Sequence, residues 1–308
     1  MNAKRLLSLL LKIILTLIVV YFLGRLMVKH WTSIKDYDWD INIPYLILSL
    51  ICAQGALFIF AMAWRMIIRS FGYSVTPAEG FKISYLSNLG RYVPGKVWQF
   101  VGILYLTRKK GIAPEPAGAS FVIYQVFTIP AAFLAFVLAG QVQPAILVDQ
   151  VRLLGQTSSY VIMGGMLAFS ALLVLFPDPF LRIVNAALAR FSRPPIAFKL
   201  DKSVALQVFI GYFFGWAVYG LAFWLFLLSV IPEVSPGLVA SIGIFAASYQ
   251  IGYLAIFAPG GFGPRELVMQ ALLIPFAGPI AAAVAIIARL WSICLELIAA
   301  LIALRIKM

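Results

Sequence analysis

The sequence is poor in the residues that most catalytic and metal sites require. It contains one histidine, His30, and two cysteines, Cys52 and Cys294, in 308 residues. Both cysteines lie inside apolar runs, which argues against a disulfide framework, and no metal-ligand spacing is present. Only 11 residues are acidic, so material for hydrolytic chemistry is scarce. We therefore predict no metal, no other cofactor, no catalytic residue and no enzymatic activity.

Charge is also scarce, at 11% of residues, whereas 63% are hydrophobic and the mean hydropathy is +1.00. Soluble domains carry roughly 25% charged and about 45–50% apolar residues. A water-soluble core cannot absorb this much apolar surface, so the composition excludes a globular cytosolic enzyme and a disordered chain. It predicts an all-α, polytopic helical membrane protein that forms one integral membrane domain over residues 1–308.

Six apolar stretches are long enough to be full membrane spans, since about 20 helical residues cross the hydrocarbon core. These stretches cover approximately residues 6–27, 43–65, 117–139, 159–176, 206–231 and 280–304. A basic amphipathic helix is predicted over residues 180–191, within a cytoplasmic linker at 178–205. The excess of basic over acidic residues is explained by loop topology, and the absence of a solvated basic domain argues against a nucleic-acid partner.

Two further apolar stretches, residues 81–107 and 238–276, are interrupted by glycine and proline. The first interruption, residues 88–96, reads NLGRYVPGK, and the second, residues 258–266, reads APGGFGPRE. The residue before a proline disfavours helix, and glycine adds backbone freedom. Non-helical backbone at membrane depth is tolerated only where it is buried in protein or lines a cavity. Each stretch is therefore predicted to be a re-entrant, broken-helix element.

The charge distribution favours re-entrant elements that enter from opposite sides of the membrane. Most of the 24 Lys and Arg residues then share one face, together with both termini. The positive-inside rule assigns that face to the cytoplasm, here of a prokaryotic plasma membrane. Residues 6–139 and 159–304 then follow the same order of elements from opposite sides. Such inverted repeats with broken helices mark substrate sites in many transporters.

Charged side chains inside a bilayer cost on the order of 2.5–3.5 kcal/mol each, so those near the breaks and in the last span are candidate site residues. The candidate lipid headgroup-binding residues are Arg91, Lys96, Arg265, Glu266, Arg289 and Glu296. If they cluster, positive charge exceeds negative charge, and an anion such as a phosphate is the expected guest. A helix that starts after Pro264 would add free N–H groups. The alternative is structural ion pairing that locks helices together.

The polar and flexible residues around the two breaks are candidates for a pathway or a hinge. They are Asn88, Gly90, Tyr92, Pro94, Gly95, Trp98, Gln99, Pro259, Gly260, Gly261 and Gly263.

The two interrupted stretches resemble the signatures of the flippase-like, lysylphosphatidylglycerol synthase transmembrane family. That family includes the membrane half of the bacterial multiple peptide resistance factor and many stand-alone proteins. The resemblance implies a helical bundle with re-entrant elements that translocates phospholipids or glycolipids. It also implies pathway or hinge roles at Arg91, Pro94, Gly95, Lys96, Pro259, Gly260, Gly261, Gly263 and Glu266. In fused members a separate soluble domain attaches lysine to the lipid. That domain is missing here, so aminoacyl transfer is not expected.

Three functions remain open at this point. The first is a lipid translocase that carries an anionic phospholipid or glycolipid headgroup through a cationic cavity. The second is a non-transporting membrane subunit that partners a lipid- or polysaccharide-modifying enzyme through the basic helix at residues 180–191. The third is an intramembrane lipid-linked transferase with Glu266 or Glu296 as a base. No oligomeric state is assigned.

Overall fold

The computed structural model describes residues 39–93, 97–146, 155–176, 201–255 and 258–307, with a few residues between 21 and 37 and between 182 and 190. All regular elements in these ranges are helices. Nine α-helices lie wholly within the described residues: α1 (Ile43–Ser70), α2 (Pro77–Asn88), α3 (Val97–Arg108), α4 (Pro114–Val142), α5 (Gly155–Leu175), α6 (Lys202–Val230), α7 (Leu238–Leu254), α8 (Pro264–Ala277) and α9 (Ala281–Arg305).

Four helical segments of this described part are long and apolar enough to cross a membrane. They are α1, α4, α6 and the continuous stretch Pro264–Arg305, which contains α8 and α9. These segments confirm a multi-pass, all-helical membrane protein. Helix α5 covers the predicted fourth span. Most of the predicted first span and most of the basic helix at 180–191 fall outside the described residues, so the total of six spans stays a prediction.

Helix α6 forms the centre of the bundle and packs along α1, α4 and α7. Small residues allow the close approach that membrane helices need: a Cβ at Gly211 would lie 3.2 Å from the Cβ of Ala63 on α1. Large aromatic side chains fill the remaining space, and the indole of Trp216 donates a 3.1 Å hydrogen bond to the Thr128 carbonyl on α4. The core therefore combines tight backbone contacts with buried aromatic rings.

The first interrupted stretch folds into an antiparallel hairpin of α2 and α3. Each arm has 12 residues, or about 18 Å of helix, which is too short to cross a hydrocarbon core of about 30 Å. A 3₁₀ turn, Leu89–Tyr92, follows α2. At the base, Lys110 Nζ donates a 2.7 Å bond to Glu79 Oε1. The hairpin therefore starts and ends on the same side of the bundle, where this contact joins its two arms.

The second interrupted stretch forms a hairpin of α7 and α8. The chain turns through a 3₁₀ segment, Pro259–Gly261, in which Gly260 adopts a φ of 60°. Arg265 at the start of α8 then packs against Gly252 near the end of α7.

The two hairpins have their bases at opposite ends of α4. The first hairpin ends at Lys110, four residues before α4 begins at Pro114. Helices α7 and α8 both contact the 3₁₀ turn Pro144–Ile146, which follows the end of α4. Because α4 is 29 residues long, about 43 Å, the hairpins extend toward each other from opposite sides of the bundle. Their tips meet where the Tyr92 ring lies against Gly260.

Replacement of Gly90 by alanine is expected to destabilise the first hairpin. A Cβ there would lie 2.5 Å from the backbone of Trp98 and Gln99, a clash that only backbone movement can relieve. We expect a fall in the unfolding temperature of several degrees in detergent, consistent with about 1–3 kcal/mol of overpacking. The control is Gly55→Ala on α1, where a Cβ meets nothing within 4 Å and the unfolding temperature should hold or rise. Equal effects of both changes would contradict this account.

The contact between Lys110 and Glu79 predicts a pH-dependent stability of the hairpin base. A hydrogen bond from Lys110, followed by one from the Thr76 backbone N–H, holds the pKa of Glu79 below its ordinary value of 4.5. A lowered pKa stabilises the fold above pH 4.5, and the stabilisation is lost as the pH falls through the lowered value. The free energy of unfolding of the wild type should therefore exceed that of Glu79→Gln by about 0.2–1 kcal/mol at pH 7. The unfolding temperatures of both should converge as the pH falls through the lowered pKa of Glu79. A difference that stays constant with pH would refute the assignment.

Candidate functional site

Five of the six predicted charged site residues meet at the point where the two hairpin tips converge. The first hairpin contributes Arg91, the start of α8 contributes Arg265 and Glu266, and α9 contributes Arg289 and Glu296. All five are at most 6% exposed. The sixth, Lys96, lies outside the described residues, as do Pro94 and Gly95. Five charged residues that the sequence analysis selected from three separate segments thus lie close together.

An ion pair between Arg91 and Glu296 joins the first hairpin to α9. Arg91 Nη2 contacts Glu296 Oε1, and the hydroxyl of Tyr92 donates to Glu296 Oε2. Arg91 Nη1 donates to the hydroxyl of Tyr249 on α7. The backbone carbonyl of Glu296 accepts a 2.7 Å bond from the hydroxyl of Tyr85. Both charged groups therefore have hydrogen-bonding partners, as a buried ion pair requires.

A second, looser pair forms between Arg289 and Glu266. Arg289 Nη1 lies 3.6 Å from Glu266 Oε1, while Nη2 donates a 3.0 Å bond to the Gly260 carbonyl. The guanidinium also lies 4.1 Å from the centroid of the Phe262 ring. Within the described residues, Arg289 Nε, Arg289 Nη1 and Glu266 Oε1 are buried without a hydrogen-bond partner. Such groups are costly, so this pair is less well satisfied than the first.

The N-terminus of α8 is already occupied by a carboxylate of the chain itself. Glu266 Oε2 accepts a 2.7 Å hydrogen bond from the backbone N–H of Gly263. The expectation that a helix start after Pro264 would offer free N–H groups to an anion is therefore wrong for this group. The reason is local: an acidic side chain in the first turn folds back onto its own helix start, which the helix dipole favours.

Among the three arginines of the cluster, Arg265 is the one without a carboxylate partner in the described part of the chain. Its Nη2 donates a 2.8 Å bond to Ser292 Oγ on α9. The guanidinium lies 5.2 Å from the ring centroid of Phe245 and 5.0 Å from that of Tyr249. The five buried charges therefore leave one uncompensated positive charge. The alternative of structural ion pairing therefore accounts for Arg91 and Arg289, which have acidic partners, but it does not account for Arg265.

The predicted pathway residues divide into those at the hairpin contact and those elsewhere. Gln99 Nε2 donates a 2.5 Å bond to Asn88 Oδ1, and Gln99 Oε1 accepts a 3.1 Å bond from Tyr253. Trp98 is 46% exposed and is not brought to the cluster.

The predicted glycines lie where the backbones approach. Gly90 packs against α3, and Gly260 packs against Tyr92. Gly261 packs against the Gly252 carbonyl, and Gly263 precedes α8 with a φ of 86°. Pro259 begins the 3₁₀ turn between α7 and α8.

The residues that contact the buried arginines and that sequence reasoning missed include Tyr249, Ser292 and Phe262. Tyr249 lies inside an apolar run, Ser292 lies on α9, and Phe262 lies between glycines. The position of Ser292, one helical turn after Arg289, was the one available signal. The other two contacts depend on how the hairpins meet, which a single sequence does not display.

A small cavity lies between two of the arginines. It measures about 10 Å³ and is lined by Arg91, Tyr249, Tyr253, Gly260, Gly261 and Arg265. This is room for at most one water molecule, since a water needs about 10–15 Å³. The predicted cationic cavity of headgroup size is therefore not open at the arginines in this conformation.

Comparison with known proteins supports the assignment of the chain to a membrane family. No curated protein matches it closely enough to count as a relative. The family model described as the lysylphosphatidylglycerol synthase TM region matches residues 9–300. Because this match covers nearly the whole sequence, including both hairpins and the charged cluster, the chain belongs to the lysylphosphatidylglycerol synthase TM region family.

Proposed function

We propose that the protein is a lipid translocase that moves the headgroup of an anionic phospholipid or glycolipid past its buried arginines. The observation that carries this proposal is the convergence of two hairpin tips on five buried charges, one of them uncompensated, inside an apolar bundle. Membrane association supports a lipid-related role, and the family match agrees with one.

The energetics of the cluster support a functional rather than a purely structural role. Replacing a buried ion pair by packed hydrophobic residues is often neutral or stabilising, so stability alone does not explain these charges. An uncompensated arginine such as Arg265 adds a further desolvation cost. A phosphate would offset that cost, because guanidinium groups bind phosphate oxygens through paired N–H donors.

The chain's own carboxylates neutralise two of the buried arginines while no lipid headgroup is bound. In the proposed cycle, Glu296 and Glu266 pair with Arg91 and Arg289 until a lipid phosphate replaces one carboxylate. The looser pair, Arg289 with Glu266, is the one expected to exchange. Movement of the glycine-containing break at 258–263 would then widen the small cavity.

The arrangement of the hairpins supports alternating access. Their bases lie at opposite ends of α4, the arrangement that an inverted repeat of residues 6–139 and 159–304 would produce. We infer that the basic face and both termini are cytoplasmic, in the plasma membrane of a prokaryote.

The hydrogen bonding disfavours the alternative of an intramembrane transferase. Glu296 accepts bonds from Arg91 and Tyr92. Glu266 accepts one from the Gly263 N–H, and its other oxygen is buried 3.6 Å from Arg289 Nη1. A general base needs a carboxylate that is available to a substrate proton. We therefore propose that the protein is not an enzyme and that both acids serve as partners of arginine.

Arg265→Gln is the sharpest test of the proposed function, because it removes the surplus charge without leaving a buried carboxylate unpaired. The purified protein is reconstituted in liposomes with a fluorescent anionic phospholipid, and leaflet exchange is followed by quenching from outside. We expect the rate to fall by about 10-fold or more, as for loss of a charged hydrogen bond of about 1.5–3 kcal/mol. The unfolding temperature should hold or rise, since a desolvated charge is removed.

The matched control is Arg108→Gln, which makes the same change at an exposed position on α3. It should leave both the rate and the unfolding temperature within error of wild type. Unchanged exchange in folded Arg265→Gln, or no exchange above empty liposomes for wild type, would reject the translocase.

A further inference from the structure

The surplus positive charge of the cluster lies at the wall of the small cavity between the hairpin tips. Within the described residues, this cavity of about 10 Å³ is lined by two arginines, Arg91 and Arg265, and by no acidic residue. The carboxylates of Glu296 and Glu266 contact Arg91 and Arg289 and do not belong to the lining. The positive potential inside the cavity is therefore not cancelled by a carboxylate at its wall.

Arg265 has N–H groups that can bind a guest in this cavity. Its hydrogen bond within the described residues runs from Nη2 to Ser292 Oγ. Neither Nε nor Nη1 of Arg265 is among the fully enclosed nitrogen atoms that lack a partner, in contrast to Nε and Nη1 of Arg289. Both atoms therefore retain accessible surface, and the cavity is the free space that Arg265 lines. The guanidinium thus presents donors to the cavity without rearrangement.

A hydroxyl at the same wall can donate as well. The phenol oxygen of Tyr249 accepts a hydrogen bond from Arg91 Nη1, and within the described residues its own proton is not donated to an acceptor. A phenol is both donor and acceptor, so this proton remains to be donated into the cavity. Tyr253 differs, because its hydroxyl accepts a bond from Gln125 and donates one to Gln99. The wall therefore combines a hydroxyl donor with guanidinium donors.

Two guanidinium groups lie close to one aromatic ring at this wall. The guanidinium carbons of Arg91 and Arg265 are 5.4 Å and 5.0 Å from the ring centroid of Tyr249. The ring attracts each cation but carries no net charge, so it does not remove the repulsion between them. An anion between the two groups would reduce that repulsion.

The volume of the cavity favours a monatomic anion. Space of about 10 Å³ admits one water-sized guest. Phosphate and sulfate are several times larger, whereas a chloride ion is only slightly larger than a water molecule. A water molecule would fill the space but leave the charge uncompensated. One chloride would bring the three arginines and two acids of the cluster to a net charge of zero.

We propose that this cavity is a chloride site, in which one chloride ion accepts hydrogen bonds from Arg265 and Tyr249 beside the charge of Arg91. The site goes beyond the proposed function and does not depend on it. In the proposed cycle, chloride is the anion that occupies the arginines before a lipid phosphate arrives.

Thermal unfolding of the full-length protein in detergent tests whether chloride binds. Sodium chloride replaces sodium gluconate at constant ionic strength, so that only the anion changes, and gluconate is too large for the cavity. A ligand that binds only the folded state raises the unfolding temperature with its concentration. We therefore expect a saturable rise of several degrees, which bromide should reproduce. An unfolding temperature that does not depend on chloride would overturn the proposal.

Arg265→Gln should abolish this rise, because it removes the charge that chloride neutralises. In gluconate, where no chloride compensates the charge, the variant should unfold at or above the temperature of the wild type. Tyr249→Phe should raise the half-saturating chloride concentration about five-fold, as expected for the loss of one hydrogen bond. The matched control, Arg108→Gln, changes an exposed arginine on α3 and should keep the full rise. An equal chloride-dependent rise in Arg265→Gln and wild type would contradict the assignment.

Crystals of the wild type soaked in bromide locate the ion without any variant. We expect an anomalous scattering peak between Arg265 and Tyr249. A neighbouring cavity of about 50 Å³, which Trp216 and Tyr219 help to line, has no charged lining residue within the described part of the chain and should show no peak. Peaks confined to the protein surface would overturn the proposal, even if Arg265→Gln does not fold.

Failure of this inference is distinguishable from failure of the proposed function. Chloride-dependent stability without lipid transport in liposomes would support the chloride site and reject the translocase. Transport that Arg265→Gln slows, in a protein whose stability does not depend on chloride, would retain the translocase and reject the chloride site.

Discussion

The contact between Arg91 and Glu296 is the interaction on which the arrangement of the site depends. It joins a 3₁₀ turn, which has few backbone hydrogen bonds of its own, to the long helix α9. Desolvation makes such a pair costly, and the loss of one partner costs about 3–5 kcal/mol. Two tyrosine hydroxyls, from Tyr92 and Tyr249, offset part of that cost. The Tyr92 ring held by this contact packs directly against Gly260 at the tip of the second hairpin.

The positions of the described helices can be predicted from the sequence because hydropathy is a local property of the chain. The residues at which the helices end are predicted less well. Helix α1 was expected to end near Arg65 but continues to Ser70. The charge of Arg65 is accommodated within the helix because its Nε donates a 2.6 Å hydrogen bond to the Val75 carbonyl, beyond the end of α1. Hydropathy marks where charge appears, whereas the helix ends where backbone bonding ends. The breaks themselves were predictable because glycine and proline act within a few residues.

The site was predictable in its charged members but not in its pairing. Arg91 and Glu296 are 205 residues apart, and nothing in a single sequence states which arginine faces which acid. The return of Glu266 to Gly263, by contrast, is a local capping pattern that the spacing of those residues could have revealed. The sizes of the cavities could not be predicted from the sequence either. They depend on how aromatic rings such as Trp216 and Tyr219, on α6, pack against the first hairpin, which is distant in sequence.

The two ion pairs differ in a way that assigns them different mechanical roles in the proposed cycle. Glu296 on α9 accepts hydrogen bonds from Arg91 and Tyr92, and these bonds attach the first hairpin tip to α9. The pair of Arg289 and Glu266 is separated by 3.6 Å and leaves buried atoms without partners. Its acid, Glu266, also lies on the hairpin that contains the positive-φ residues Gly260 and Gly263. The first hairpin therefore acts as the fixed wall, and the second hairpin is the part whose contacts a phosphate could replace at the lowest energetic cost.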